Sequence, residues 1–227
     1  MKQYVDLSVT INDQTYGPPS TNVRVQFTAN HRPASSPNVK FDYWVATTLN
    51  ASVHTGSHVD FPSHVRRDGS SSDNFRLDSL FGEALVVNVK HVKPEQGILI
   101  EDLENSGINF SKGQIVLLNT AWSDKMWGKF PDYYTRSPYL TPEAARWLAS
   151  KEPRAVGFDF FEEYSARLRD FKSDDFVVHH EFLDRGVILM EHLTKLDQLT
   201  NPVDFYAAFV KLGKSDGSLA RFFAILN

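Results

Sequence analysis

The stretch His54-Thr55-Gly56-Ser57-His58-Val59-Asp60-Phe61-Pro62-Ser63-His64 places three of the chain's eight histidines within eleven residues. Its spacing decides how it is read. On a helix, with about 100° per residue, Asp60 would lie roughly 200° around from His58. On a strand, positions 54, 56, 58 and 60 share one face because the side-chain period is two. Val53, Thr55, Val59 and Phe61 then suit packing on the opposite face. The spacing predicts an extended segment that presents two imidazoles and a carboxylate together, with Gly56 leaving room between them. Pro62 ends the ladder, so His64 follows a bend and approaches the cluster from the side.

Outward from this segment, short β-branched and aromatic runs dominate the chain. They recur at residues 5–11, 23–28, 41–48, 84–89, 114–120, 155–160, 186–193, 207–212 and 220–226, and each is read as a strand. The last two flank Ser215-Asp216-Gly217-Ser218, whose Asp-Gly pair is expected to supply the positive φ of a tight hairpin. One helix is plain: Thr141 caps it, Pro142 takes the first helical position, Ala144, Ala145, Trp147 and Leu148 give an apolar face, and Pro153 ends it. A shorter helix is expected from Ile100 to Ser106, stopped by Gly107. Residues 30–38, 66–74 and 167–175 read as loops. Strands outnumber helices, which predicts an α/β domain with a mostly antiparallel or mixed sheet rather than a βαβ repeat. No composition shift or internal repeat divides residues 1–227, so one compact domain is expected.

The chain has 227 residues, 41% of them hydrophobic, with 17 Phe, 8 Tyr and 4 Trp. That is enough apolar volume for a sizeable core. Its 24 basic and 28 acidic residues give a net charge of −4. With no basic stripe among the aromatics, nucleic acid and anionic membrane are poor partners, and a small-molecule substrate is the expectation. There is no cysteine, which removes disulfides, thiolate metal sites and a cysteine nucleophile together. The opening segment alternates polar and apolar residues around Asp6, unlike a signal peptide. No run of about 18 apolar residues could span a membrane. A soluble, cytoplasmic protein is expected.

Neutral imidazole and carboxylate are the ligands of Zn²⁺, Mn²⁺ or Fe²⁺, and three protein ligands leave a coordination position open for water. His54, His58 and Asp60 are therefore candidate metal ligands, and His64 is the candidate general base. Glu191 ends the apolar run Val187-Ile188-Leu189-Met190, where an ionised carboxylate is costly without a cation beside it. Metal ligation satisfies that need, and a buried salt bridge to an arginine is the lesser alternative. Trp122, Trp127, Tyr133 and Tyr134 suit core packing better than substrate stacking. Glu162, Glu163, Asp174 and Asp175 read as a solvated face, and His31, His91 and His192 as structural or exposed.

The motif from His54 to His64 resembles the His-x-Gly-Thr-His-x-Asp-x-Pro-x-His signature of the cyclase family that includes bacterial kynurenine formamidase and isatin hydrolase. Ser57 replaces the usual Thr and keeps the hydroxyl. Further likeness lies in Val5-Asp6-Leu7-Ser8, Leu118-Asn119-Thr120-Ala121-Trp122, Ala155-Val156-Gly157-Phe158-Asp159 and the closing Ser215-Asp216-Gly217-Ser218 with Arg221. The resemblance implies a swivelling β/β/α fold, a homodimer or homotetramer, and one or two divalent ions, Zn or Mn, per chain. It implies that His54, His58 and Asp60 bind the first ion. Asp60, His179 and Glu191 would bind the second, His179 and Glu191 having the family's twelve-residue separation. His180 is one residue off. If the run Phe176-Val177-Val178 continues as a strand, the two rings point oppositely and only one enters the site. The chain departs from the family after Asp159, where Phe160-Phe161-Glu162-Glu163-Tyr164 replaces a segment that often carries Ser or Asp.

The function expected from these residues together with the resemblance is metal-dependent hydrolysis of an amide, formamide or cyclic amide, with His64 moving the proton. The alternative within enzymes is a lactone hydrolase or a cyclase/dehydratase acting on a polyketide-like substrate. A metal-dependent binding protein has no evident need for His64, and a zinc-stapled domain favours closed, commonly cysteine-bearing sites.

Overall fold

The computed structural model describes residues 2–36, 40 and 43–226. In chain order the first strands are β1 (Gln3–Asp6), β2 (Gln26–His31), β3 (Val45–Asn50), β4 (His58–Asp60), β5 (Phe81–Asn88) and β6 (Gly97–Ile98). Helix α1 (Ile100–Glu104), β7 (Ile115–Asn119), α2 (Trp122–Met126), α3 (Asp132–Thr135), β8 (Tyr139–Leu140) and α4 (Pro142–Ala149) follow. The chain continues through β9 (Ala155–Phe158), α5 (Val177–Leu183), β10 (Ile188–Glu191), β11 (Val203–Phe209) and β12 (Gly217–Leu226).

Eight strands form one sheet in the order β1-β12-β11-β5-β7-β9-β10-β4, and β4 also pairs with β12. That second pairing closes seven of the strands into a ring, with β1 attached at β12. Strands β5, β7, β9 and β10 run parallel to their neighbours in this series. The pairs β10–β4, β4–β12, β12–β11, β11–β5 and β1–β12 are antiparallel. The sheet is thus mixed, as the sequence predicts. Every residue of β7, β9 and β10 is buried, which explains why these strands read as continuous apolar runs: both faces are covered.

The period-two alternation sorts their side chains into two cores. Ile115, Leu117, Ile188, Met190, Phe205 and Phe222 pack inside the ring. Val116, Leu118, Val156, Phe158 and Leu189 point outward and pack with Leu148 of α4 and Phe182 of α5. On β4, Val59 joins the inner core together with Phe61. His58 and Asp60 therefore project from the outer face, as Glu191 does on β10, beneath the helical layer.

Helix α4 forms where Thr141 and Pro142 place it, the Thr141 side chain accepting the Ala144 N–H. Several expectations change. The extended segment predicted across 53–61 is a strand only at 58–60. Residues 53–57 are a turn, with Gly56 at φ +65° and its Cα so close to Ile11 that a Cβ would sit 2.3 Å from the Ile11 Cγ2. Residues 177–183 form a helix rather than a strand. The positive φ before β12 belongs to Lys214, not to Asp216 or Gly217. Strand β2 runs on through His31 into the predicted loop, and residues 37, 38, 41 and 42 of the predicted loop and strand lie outside the described residues. Arg167, placed in a charged loop, is buried and donates to the carbonyls of Ser137, Pro138 and Phe161.

At the end of β9 the Asp159 carboxylate accepts the N–H and O–H of Thr120 and the N–H of Ala121, all buried. This holds the left-handed turn at Ala121 that starts α2. Asp159→Asn replaces one acceptor oxygen by a donor, so it should cost about 1–3 kcal/mol. Urea denaturation measures this, and an unchanged midpoint would show that the carboxylate does not hold the turn.

Candidate metal centre

Asp60 is fully buried and lies at the centre of the cluster. Its Oδ1 is 2.7 Å from Nδ1 of His54 and 3.2 Å from Nε2 of His58, and its Oδ2 is 3.6 Å from Nε2 of His179. Glu191 adds Oε1 at 3.1 Å from His179 Nε2 and Oε2 at 3.7 Å from His58 Nε2. All five residues named as metal ligands from the sequence therefore converge.

The routes differ from the expected ones. His58 and Asp60 alternate on β4, and the β4–β10 register sets Glu191 opposite His58. His54 comes from the preceding turn instead of the strand. Gly217 makes room for it, since a Cβ there would lie 2.6 Å from the His54 ring. His179 reaches down from α5 and is buried, whereas His180 turns away and pairs with Asp184 at 2.9 Å. A helix separates consecutive side chains by about 100°, so one histidine still enters.

Each imidazole is held by its second nitrogen. His58 Nδ1 meets the Gly56 carbonyl at 2.7 Å, and His179 Nδ1 meets Glu163 Oε2 at 3.3 Å. That arrangement fixes the tautomer and leaves Nε2 facing the cluster. The same Glu163 oxygen accepts the backbone N–H groups of Val178 and His179. Asp216 Oδ2 meets both His54 Nε2 and His64 Nδ1, each at 3.0 Å, and the His54 and His64 rings stack 4.0 Å apart. Ser57 accepts the Val9 N–H and donates to the His192 carbonyl, which explains the hydroxyl in the motif.

Sequence reasoning missed four of these residues. Glu162 and Glu163 were expected on a solvated face, yet both are buried. Their one signal is that they directly follow Phe160 and Phe161. Asp216 was visible only as part of a hairpin. His192 is buried beside Glu191, with its Nδ1 on the Tyr133 hydroxyl at 2.8 Å.

The electrostatics follow from this crowding. Burial opposes charge on His54, but the Asp60 carboxylate and the Asp216 hydrogen bond outweigh it and push the ring up to about 10. Burial likewise opposes ionisation of Glu191, yet the neighbouring His58 holds it at about 2. Burial lowers His64 despite its bond to Asp216, and pushes His192 down to about 4. Glu162 is raised well above the usual range by burial and then by the charge of Glu191. Protons and a divalent cation are alternative ways to neutralise these carboxylates, and ligation requires the imidazoles to be deprotonated.

The residues fit a metal ion. Donor atoms about 2.1 Å from one ion lie about 3.0–3.4 Å apart in octahedral or tetrahedral arrays, and the spacings around Asp60, 2.7, 3.2 and 3.6 Å, bracket that range. Asp60 Oδ2 and both oxygens of Glu162 are buried with no hydrogen-bond partner among the described residues. Three sets bring their donor atoms within 4.8 Å of one another: His54–Asp60–His64, His58–Glu191–His192 and Asp60–His179–Glu191. The last is the expected second set. His54 and His58 meet through Asp60 Oδ1 rather than as a mutual trio.

This fold and cluster define a class with known members. The family model described as "Putative cyclase" matches residues 5–162, and the chain belongs to that family. A kynurenine formamidase of Salinibacter ruber is 28% identical over 178 residues, covering 77% of this chain and 76% of the relative. Two solved structures share the fold. An isatin hydrolase bound to the product analogue thioisatinate has a TM-score of 0.79 at 20% identity, covering 99% of this chain and 92% of that one. A potential metal-dependent hydrolase with cyclase activity has a TM-score of 0.76 at 22% identity, covering 99% and 98%.

His179→Ala should lower the divalent metal content of the purified protein, whereas His180→Ala should leave it unchanged. Elemental analysis of both variants decides this, and equal retention would remove His179 from the centre.

Proposed function

We propose that this chain is a metal-dependent hydrolase of a C–N amide bond, in a formamide or a cyclic amide. In this reading His54, His58 and Asp60 hold one divalent ion, Zn²⁺ or Mn²⁺, and Asp60, His179 and Glu191 a second. The observation that carries it is the buried Asp60 carboxylate within reach of three imidazoles at the floor of a pocket whose wall includes His64. The kinship to a formamidase and the fold shared with an isatin hydrolase support the same bond type.

A divalent ion bound there supplies Lewis acidity, polarising the substrate carbonyl and lowering the pKa of a water toward neutrality. The chain's residues do the rest. Asp216 accepts the Nδ1–H of His64, which leaves the lone pair on Nε2. That nitrogen takes a proton from the attacking water as its oxygen bonds to the carbonyl carbon. It returns the proton to the amide nitrogen as the C–N bond breaks, giving a carboxylic acid and an amine. No covalent intermediate with the protein is needed.

The pocket wall adds selectivity. Pro18, Phe161, Ala166, Phe171 and Phe176 line it beside Ser20, Thr21 and Ser52, and no lysine or arginine does among the described residues. Phe176 stacks on His179 at 3.6 Å. Such a wall favours an uncharged aromatic or alicyclic amide over one bearing a zwitterionic amino-acid head. A panel of formanilide, a cyclic aryl amide, an amino-acid-bearing aryl formamide and a lactone tests this. Turnover of the lactone alone would favour the lactonase or cyclase alternative.

The two histidine roles separate in variants. His64→Ala should keep its metal and lose about 10²- to 10⁴-fold in kcat. His58→Ala should lose both metal and activity. Metal content and rate measured on the same preparations check this, and equal metal loss in both would make His64 a ligand. Exhaustive chelation should abolish turnover and added metal restore it; activity that survives chelation would contradict the reading.

A further inference from the structure

Glu162 is buried in the centre, and neither the reaction above nor the contacts that brace the histidines use it. We infer that Glu162 is a further metal ligand, completing an oxygen-rich set with Asp60, His179 and Glu191 and raising the affinity for Mn²⁺ more than that for Zn²⁺. The inference rests on the metal-dependent reading of the site and adds a residue to it.

Three observations carry it. Glu162 has no exposed surface, and neither carboxylate oxygen has a hydrogen-bond partner among the described residues. A buried carboxylate in that condition requires a cation or a proton. Its Oε1 also lies 3.5 Å from Nε2 of His179, the atom that Glu191 approaches to 3.1 Å and Asp60 to 3.6 Å. The carboxylate therefore points at the nitrogen that the Glu163 contact keeps turned toward the cluster. Finally, the backbone is fixed on both sides of it. Ser137 Oγ accepts the Phe161 N–H, Arg167 donates to the Phe161 carbonyl, and the Glu162 carbonyl accepts the Leu140 N–H. The side chain is presented from a rigid segment rather than a mobile loop.

Three carboxylates and one imidazole form a hard donor set. Carboxylate and water ligands in octahedral array suit Mn²⁺, whereas Zn²⁺ prefers four ligands rich in nitrogen or sulfur. Four protein donors would fill a tetrahedral Zn²⁺ site but leave an octahedral Mn²⁺ two positions for water or substrate. Adding Glu162 to the set thus gains more for the harder ion than for the softer one. His54 and His58, on the opposite side of Asp60, keep the nitrogen-rich half of the centre.

The alternative is a neutral Glu162 that shares a proton with Glu191 and never meets the ion. Glu162→Gln keeps the shape and that hydrogen bonding but removes the anionic ligand, so it distinguishes the two. Metal-stripped wild type and E162Q are titrated with Mn²⁺ and with Zn²⁺ by calorimetry without substrate, and bound Mn²⁺ is followed by electron paramagnetic resonance. Circular dichroism confirms that the variant is folded. The expected result is an Mn²⁺ Kd raised at least about tenfold in E162Q, the scale seen when even an outer hydrogen-bond partner of a ligand is lost. The Zn²⁺ Kd should change less, and the Mn²⁺ spectrum should change. An unchanged Mn²⁺ Kd and spectrum in E162Q would overturn the role of Glu162 while leaving the metal centre intact. Wild type that binds neither ion would instead overturn the metal-dependent reading. Should E162Q fail to fold, a crystal of Mn²⁺-loaded wild type decides, with a Glu162 oxygen at coordination distance expected and a Glu162 remote from every ion overturning the inference.

Discussion

The three residues of β4 pair on both sides at once, with β10 on one and β12 on the other. This double pairing closes the sheet, and the rest of the architecture depends on it. A closed ring has no free edge at β4, so the strand cannot slip: a one-residue shift would turn Val59 outward and bury His58 and Asp60 among Met190, Phe205 and Phe222. Register, core and site are therefore one constraint. The alternation that puts Val59 in the ring necessarily puts His58 and Asp60 beneath α5.

Once the register is fixed, the chain has a costly concentration of charge to accommodate. Asp60, Glu162, Glu163 and Glu191 are all buried within one small volume. Taking each carboxylate out of water costs several kcal/mol even after relaxation. Four histidines are drawn against this charge, and each of His54, His58 and His179 is braced by an oxygen on its second nitrogen. The fold thus invests stability in an arrangement that holds basic nitrogens and anionic oxygens a few ångströms apart. Such spending is characteristic of functional sites, where local rules yield to chemistry. The apolar wall of Phe161, Phe171 and Phe176 then excludes water from one side of the cluster without adding another charge.

The legibility of this site varied with how local its signal was. His58, Asp60 and His64 could be read directly, because a strand and the proline-bounded bend after it express themselves over a few residues. His54 reaches the cluster by a different route from the one its spacing predicts. Period two placed it on the strand, but Gly56 breaks the strand and the ring returns to Asp60 from a turn. His179 likewise lies in the cluster although its element differs from the predicted one: Val177 and Val178 favour strand by propensity, and packing of Val178 and Phe182 against the sheet makes the segment helical. Glu162 and Glu163 were misread outright. A pair of acids normally marks solvent, and nothing within a few residues reveals that Arg167, His179 and the α5 backbone will surround them.

By itself the sequence determined the mixed, strand-rich class, the capped helix α4 and the identity of five clustered donors, since periodicity, capping chemistry and a dense His/Asp motif are local properties. Only the tertiary structure decided the ring closure, the outer face on which the donors meet, and the surroundings of Asp216, Glu162, Glu163 and His192. Those depend on contacts between residues as distant as His54 and Asp216, 162 positions apart. Charge and spacing along a chain do not encode which distant groups will be desolvated together, and desolvation gives a buried acid its chemistry.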